Sequence, residues 1–178
     1  EPSEQLANKL VASTFADRVF FCNSGTEAIE CGFKAIRRYF HSKDLGHKNR
    51  IVSMSGAFHG RSLAAIASAA NPVHCKGFLV GDPGFDQAEF GNFESLLCVV
   101  NENTAGIIIE PIQGEGGISV AGIEYLKAIR ELCDSHNILL MFDEVQCGIA
   151  RTGSLYAYQQ LGVNPDILAT AKGLGGGF

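Results

Sequence analysis

The run Ile138-Leu139-Leu140-Met141-Phe142-Asp143-Glu144 constrains the fold of this chain more than any other stretch. Its apolar residues follow one another without polar alternation, which reads as a strand covered on both faces, and it ends on two acids. Similar runs stand at Val19 to Cys22, Arg50 to Met54, Ala105 to Glu110 and Ile167 to Ala171. Helical spacings lie between them. Leu6, Leu10 and Val11 share one face within 4–13, Ile29, Phe33, Ile36 and Phe40 within 27–40, and Leu126, Ile129 and Leu132 within 123–137. Shorter helices fit 62–70, 93–100 and 155–161. Pro72, Gly77, Gly81, Pro83 and Gly84 mark 71–89 as a long surface excursion. Helices alternating with continuously apolar strands predict an α/β fold: three layers, a mainly parallel sheet with helices on both faces. With neither repeat nor linker, one domain is expected.

A formal charge of −5 without a basic run argues against nucleic acid and against an anionic membrane surface as partners. The apolar runs are too short to span a bilayer, and no leading segment resembles a signal peptide. Cys22, Cys31, Cys75, Cys98, Cys133 and Cys147 are scattered, with no Cys-x-x-Cys pair, so buried free thiols in a reducing compartment are expected. The histidines show no paired ligand spacing, and no metal is expected. The chain opens on Glu1-Pro2 and stops within a glycine run, so it reads as part of a longer protein.

A carboxylate at the carboxyl end of a buried strand stands where open α/β sheets present ligand-contacting groups. Asp143 occupies such a position, and Lys172 follows the last strand, ahead of Gly173. A buried lysine beside an acid is costly unless both have chemical work. The pair suggests a lysine that forms a Schiff base and an acid that keeps a cofactor's ring nitrogen protonated. The plainer reading makes the acid a helix cap and the lysine a solvated one. Ser24-Gly25-Thr26, between a strand and a helix start, suits either a phosphate seat or simple N-capping. It is not a Walker loop, because no Gly-Lys-Ser/Thr follows. Phe58, in a glycine-bracketed turn, offers an aromatic face to a planar ring, and Arg61 a fork for a carboxylate; a core Phe and a solvated Arg are the alternative. Glu110 and Glu115 flank Pro111 to Gly114, where acids are usually solvated.

Taken together, Asn23-Ser24-Gly25-Thr26-Glu27-Ala28, Phe58-His59-Gly60-Arg61, Glu110-Pro111-Ile112-Gln113-Gly114-Glu115-Gly116-Gly117, Asp143-Glu144-Val145-Gln146 and Ala171-Lys172-Gly173-Leu174-Gly175-Gly176-Gly177 resemble, in order and spacing, motifs of the class III pyridoxal-phosphate aminotransferases. The resemblance implies the large domain of the fold type I transferases, with 1–178 an incomplete part of it and the N-terminal segment and C-terminal domain absent. It implies pyridoxal 5'-phosphate as cofactor, carried by Lys172, with Asp143 on the pyridine nitrogen and Gln146 near the ring's 3-oxygen. Val145 and Phe58 would cover the two ring faces, Glu144 belongs to the same cofactor-binding turn, and Ser24, Gly25 and Thr26 would hold the phosphate. Arg61 would take the substrate's α-carboxylate. Glu115 would pair with a second arginine, beyond Phe178, and gate between amino donor and acceptor.

Within the family the likeness points to N-acetylornithine as donor and 2-oxoglutarate as acceptor, as in arginine biosynthesis. Succinyl-diaminopimelate is a further donor, and ornithine or 4-aminobutyrate are alternatives. A homodimer in the cytoplasm, or in the mitochondrial matrix of a eukaryote, is implied as well. Cys31-Gly32, Cys147 and Ala150 depart from the commoner family residues and loosen the choice of substrate. A nucleotide-binding α/β module, using Ser24 to Thr26 for phosphate and giving Lys172 no role, is the reading from a different class.

Overall fold

The computed structural model describes residues 1–78 and 82–177. Its strands are β1 (Arg50–Met54), β2 (Phe85–Ala88), β3 (Thr104–Ile109), β4 (Ile112–Gln113), β5 (Ser119–Val120), β6 (Leu139–Asp143) and β7 (Ile167–Ala169). The helices are α1 (Pro2–Ser13), α2 (Gly25–His41), α3 (Leu63–Ala69), α4 (Pro72–Cys75), α5 (Phe93–Val99), α6 (Ile123–His136) and α7 (Ala157–Leu161). β2-β1-β3-β6-β7 form one sheet in that order, every pair parallel. Because all five strands run the same way, their carboxyl ends open along one edge, on which β1, β3, β6 and β7 each deliver a loop.

Alternation of side chains along each strand divides the core in two. Val52, Met54, Ile107, Ile109, Leu140 and Phe142 pack with Leu10 of α1, Leu96 of α5, Leu126 and Ile129 of α6 and Tyr158 of α7. Ile51, Ile108, Met141 and Ala169 pack on the other face against Ile29, Phe33, Ile36 and Phe40 of α2. The expected three layers are therefore present, and the continuous apolar runs of β3 and β6 have the cause inferred for them: both faces are buried.

Two glycines let α2 lie close to the sheet. A Cβ on Gly32 would collide with Met141 Cε, and one on Gly106 would stand 2.9 Å from Ile36 Cδ1. Gly106 is mid-strand and its neighbour Ile36 is fully buried, so nothing can move aside freely. Gly106→Val is expected to cost about 1–3 kcal/mol by overpacking, read as a lower denaturant midpoint at unchanged slope.

Three expectations change. Residues 19–22 are not a strand and are not buried: no described strand pairs with them, and Phe20 and Phe21 are 74% and 40% exposed. An apolar run fixes a preference for burial, but a strand also needs a hydrogen-bonding neighbour. The excursion 71–89, of which 79–81 lie outside the described residues, contains α4 and the edge strand β2. Phe85-Asp86-Gln87-Ala88 is polar enough in sequence to read as loop, whereas its register against β1 and the pairing of Arg50 with Asp86 at 2.7 Å hold it in the sheet. The cysteines are free, as expected, but Cys22 and Cys98 are exposed and only Cys133 and Cys147 are buried. Burial pushes the Cys133 thiol up to about 12.

Candidate active site

The carboxyl edge of the sheet borders a cavity of about 1230 Å³. Each of its chemical groups is placed by a different element. Asp143 is the last residue of β6; two positions past Met141, it projects on the face covered by α2 and is only 4% exposed. Its Oδ1 accepts the Val145 N–H at 3.0 Å, and its Oδ2 accepts the His59 Nδ1–H at 2.8 Å. That bond places the imidazole proton on Nδ1, and the His59 Nε2 is buried without a partner among the described residues. In the sequence His59 belongs to the Phe58-to-Arg61 motif but has no assigned role, because a lone histidine in a turn carries no spacing signal.

The turn Ser24-Gly25-Thr26 opens α2. Ser24 caps it, its hydroxyl accepting the Glu27 N–H at 3.2 Å, while the Glu27 carboxylate accepts the Asn23 N–H at 2.6 Å. N-capping and anion binding, set against each other in the sequence, coexist: the Gly25 and Thr26 N–H groups make no hydrogen bond among the described residues and lie at the cavity, on the positive end of a 17-residue helix. Gly25 permits the approach, because a Cβ there would lie 2.8 Å from Val145 Cγ1. Gly60, at φ +114°, lies so tightly against Thr26 that any Cβ would collide with its hydroxyl. These contacts bring the 24–26, 58–60 and 143–146 segments into one site. Ser24, Gly25, Thr26, Phe58, Asp143, Val145, Gln146 and Lys172 all line the cavity.

Glu144 does not line it. Its fully buried carboxylate accepts the Ala157 and Tyr158 N–H groups at 2.6 and 2.8 Å, closing the start of α7. Burial pushes this carboxyl above its ordinary value, and the two donors hold it back. Of the two strand-end acids, one caps a helix and the other faces the cavity.

Lys172 departs from expectation in another way. It is exposed, in a one-turn 3₁₀ segment at φ +45°, between the main cavity and a smaller one lined by Gln146, Ile149 and Arg151. It sits past the end of β7, where the sheet no longer covers it, in a left-handed conformation that favours glycine. Arg61 is exposed too, its guanidinium carbon 5.5 Å from the Phe58 ring centre, and Glu115 is exposed on the β4–β5 hairpin. Neither Arg61 nor Glu115 lines the cavity.

Glu110 reverses the reading of a solvated loop acid: it directly follows β3, in the cavity wall at 4% exposure, and its Oε2 accepts the Phe58 N–H at 3.0 Å. Burial pushes its carboxyl up to about 7; His59 and the Phe58 N–H oppose this, while Asp143 and Glu115 add to it. The unfolded chain releases this proton near 4.5, whereas the folded chain keeps it to about 7. Stability therefore falls as pH rises through that window and levels off above it, by at most on the order of 3 kcal/mol. Glu110→Gln, which cannot ionise, is expected to remove that part of the slope and to melt higher than the parent at pH 8, as scanning calorimetry at pH 5 and 8 would measure.

The family model for "Aminotransferase class-III" matches residues 1–178. The chain belongs to the class III aminotransferases. This membership supersedes the nucleotide-binding alternative. The chain is 53% identical over 175 residues to acetylornithine aminotransferase of Agrobacterium fabrum, covering 98% of this chain and 44% of that protein. It is 48% identical over 178 residues to succinylornithine transaminase of Salmonella heidelberg, covering 100% and 44%. The crystal structure of N-acetylornithine aminotransferase from Stenotrophomonas maltophilia superposes with a TM-score of 0.83 at 38% identity, over 100% of this chain and 44% of that one. The class III chain thus spans less than half the length of these relatives. Among the described residues, no helix is long and apolar enough to cross a membrane, and no cluster of three His, Cys, Asp or Glu could hold a metal ion.

Proposed function

We propose that residues 1–178 are part of the large domain of a pyridoxal 5'-phosphate-dependent aminotransferase that moves the terminal amino group of N-acetylornithine to 2-oxoglutarate. The observation that carries this reading is the arrangement at the sheet edge: a buried carboxylate, oriented by His59 at 2.8 Å, faces the same cavity as Lys172 and the free N–H groups of the α2 terminus. Named relatives that act on acetylated and succinylated ornithine favour an N-acylated ornithine over free ornithine or 4-aminobutyrate. A homodimer in the cytoplasm belongs to the same proposal.

The residues present fit the cofactor. The α2 terminus offers unpaired donors and a positive dipole end to a phosphate, and Gly25 keeps the approach open. Phe58 and Val145 supply apolar faces, and Gln146 a polar group at the rim. When bound, the pyridoxal ring supplies an electron sink that acidifies the carbon bearing the amino group to be moved.

The chain's own groups then have distinct tasks. Asp143 Oδ2 and Oδ1 are held by His59 and Val145, so the carboxylate stands ready to accept a charge-assisted hydrogen bond and keep a proton on a ring nitrogen. Lys172 Nζ would hold the cofactor and would serve as the base that takes a proton from substrate carbon and returns it nearby. Arg61 holds the substrate carboxylate, and Glu115 is the acid that exchanges partners between donor and acceptor.

Borohydride reduction of the full-length protein with pyridoxal 5'-phosphate, followed by peptide mass analysis, should place the added mass on Lys172. Initial rates with N-acetylornithine, N-succinylornithine, ornithine and 4-aminobutyrate should favour the acylated donors; preference for 4-aminobutyrate would overturn the substrate while leaving the chemistry.

A further inference from the structure

Glu110 is buried in the cavity wall and has no part in the steps above. It stands between two neighbours that do: Phe58, whose N–H it accepts at 3.0 Å, and Asp143, on the adjacent strand. From Phe58 to Arg61 the turn after β1 makes only two hydrogen bonds among the described residues, the Phe58 N–H to Glu110 and the His59 Nδ1–H to Asp143. The two anchors fall on consecutive residues. Upstream the turn is fixed by the Ala57 N–H to the Met54 carbonyl at 3.2 Å, and downstream Gly60 packs against Thr26. A backbone amide with a single buried acceptor, next to the residue that orients Asp143, is where the turn would shift if the acceptor were withdrawn.

We propose that Glu110 is a positioning residue: through its hydrogen bond to the Phe58 N–H it sets where the Phe58 ring stands and brings the His59 imidazole onto Asp143. The groups facing its carboxyl are His59, Asp143, Glu115 and the Phe58 N–H. This role depends on reach and an acceptor oxygen, not on charge. Two substitutions separate these. Glu110→Gln keeps the length and an amide oxygen but loses the charge, while Glu110→Asp keeps the charge but is one methylene too short to meet the Phe58 N–H.

The proposal deepens the reading of the cavity as a pyridoxal-phosphate site, and its test has a readout that does not need the cofactor. In the cofactor-free, full-length protein, the His59 Nδ1–H bonded to a buried carboxylate should give a low-field proton resonance, assigned by its loss in His59→Gln. Glu110→Gln is expected to keep that resonance and Glu110→Asp to lose it. Titration with pyridoxal 5'-phosphate should show Glu110→Asp binding more weakly, on the order of tenfold, than Glu110→Gln. Any other pattern of the resonance overturns the proposal: retention in both variants, loss in both, or loss in the glutamine variant alone. If the parent protein failed to bind pyridoxal 5'-phosphate, the functional reading would fall, while the resonance would still decide the role of Glu110.

Discussion

Lys172→Ala in the full-length protein is expected to remove covalent attachment of pyridoxal 5'-phosphate and to lower kcat by at least about 10⁴-fold, the upper end of what one general base contributes. The size follows from two tasks resting on one amine, attachment and proton transfer, which a methyl group can perform neither of. The fold should be unaffected. Lys172 is exposed and lies past the end of β7, and among the described residues its side chain makes no ion pair or hydrogen bond, so its removal uncovers no buried partner. Replacing it by alanine leaves the left-handed backbone at φ +45° as it was, because both residues have a Cβ. Absorbance of the bound cofactor, borohydride trapping and single-turnover rates would measure the effect. Unchanged amino exchange in a correctly folded Lys172→Ala protein would sink the functional assignment.

Asp143→Asn is the second large effect. The side chain keeps its shape, so its oxygen can still accept the Val145 N–H held at 3.0 Å, but an NH₂ group then faces the His59 Nδ1–H across 2.8 Å. Two donors cannot pair. The imidazole is expected to move its proton to Nε2, which is buried and unpaired in the parent, so the conflict moves from one ring nitrogen to a second unsatisfied position. The neutral amide also cannot keep a ring nitrogen protonated by charge. A loss in kcat of about 10²–10³-fold is expected, the scale of removing one preorganised electrostatic contact. Nitrogen-15 NMR of His59 would follow the tautomer independently of turnover.

How much of this was legible beforehand differs from residue to residue. The apolar runs 105–110 and 138–143 became central strands, because continuous hydrophobicity has few other uses at strand length. The periodicity of 27–40 became α2, whose apolar face is Ile29, Phe33, Ile36 and Phe40. Asp143 was legible because an acid at the end of such a strand stands at the sheet edge whatever the details. Val19 to Cys22 failed as a strand for the converse reason: its residues are as apolar as those of β1, but pairing is a property of two segments. β2 failed because its place at the edge rests on register and on Arg50, not on its own composition.

At the site the division is sharper. Asp143 and Glu144 are adjacent acids with the same chemistry in sequence, yet one faces the cavity and the other caps α7; strand alternation sends neighbours to opposite faces. Sequence alone determined the layered α/β fold, the family, and the residue types gathered at the carboxyl edge, because periodicity and motif order are local properties of the chain. Only the tertiary structure decided that His59 orients Asp143, that Glu110 is buried beneath Phe58, and that Lys172 stands exposed at the rim. Those outcomes depend on distances between residues far apart in the chain and on how much water each group loses, and packing sets both.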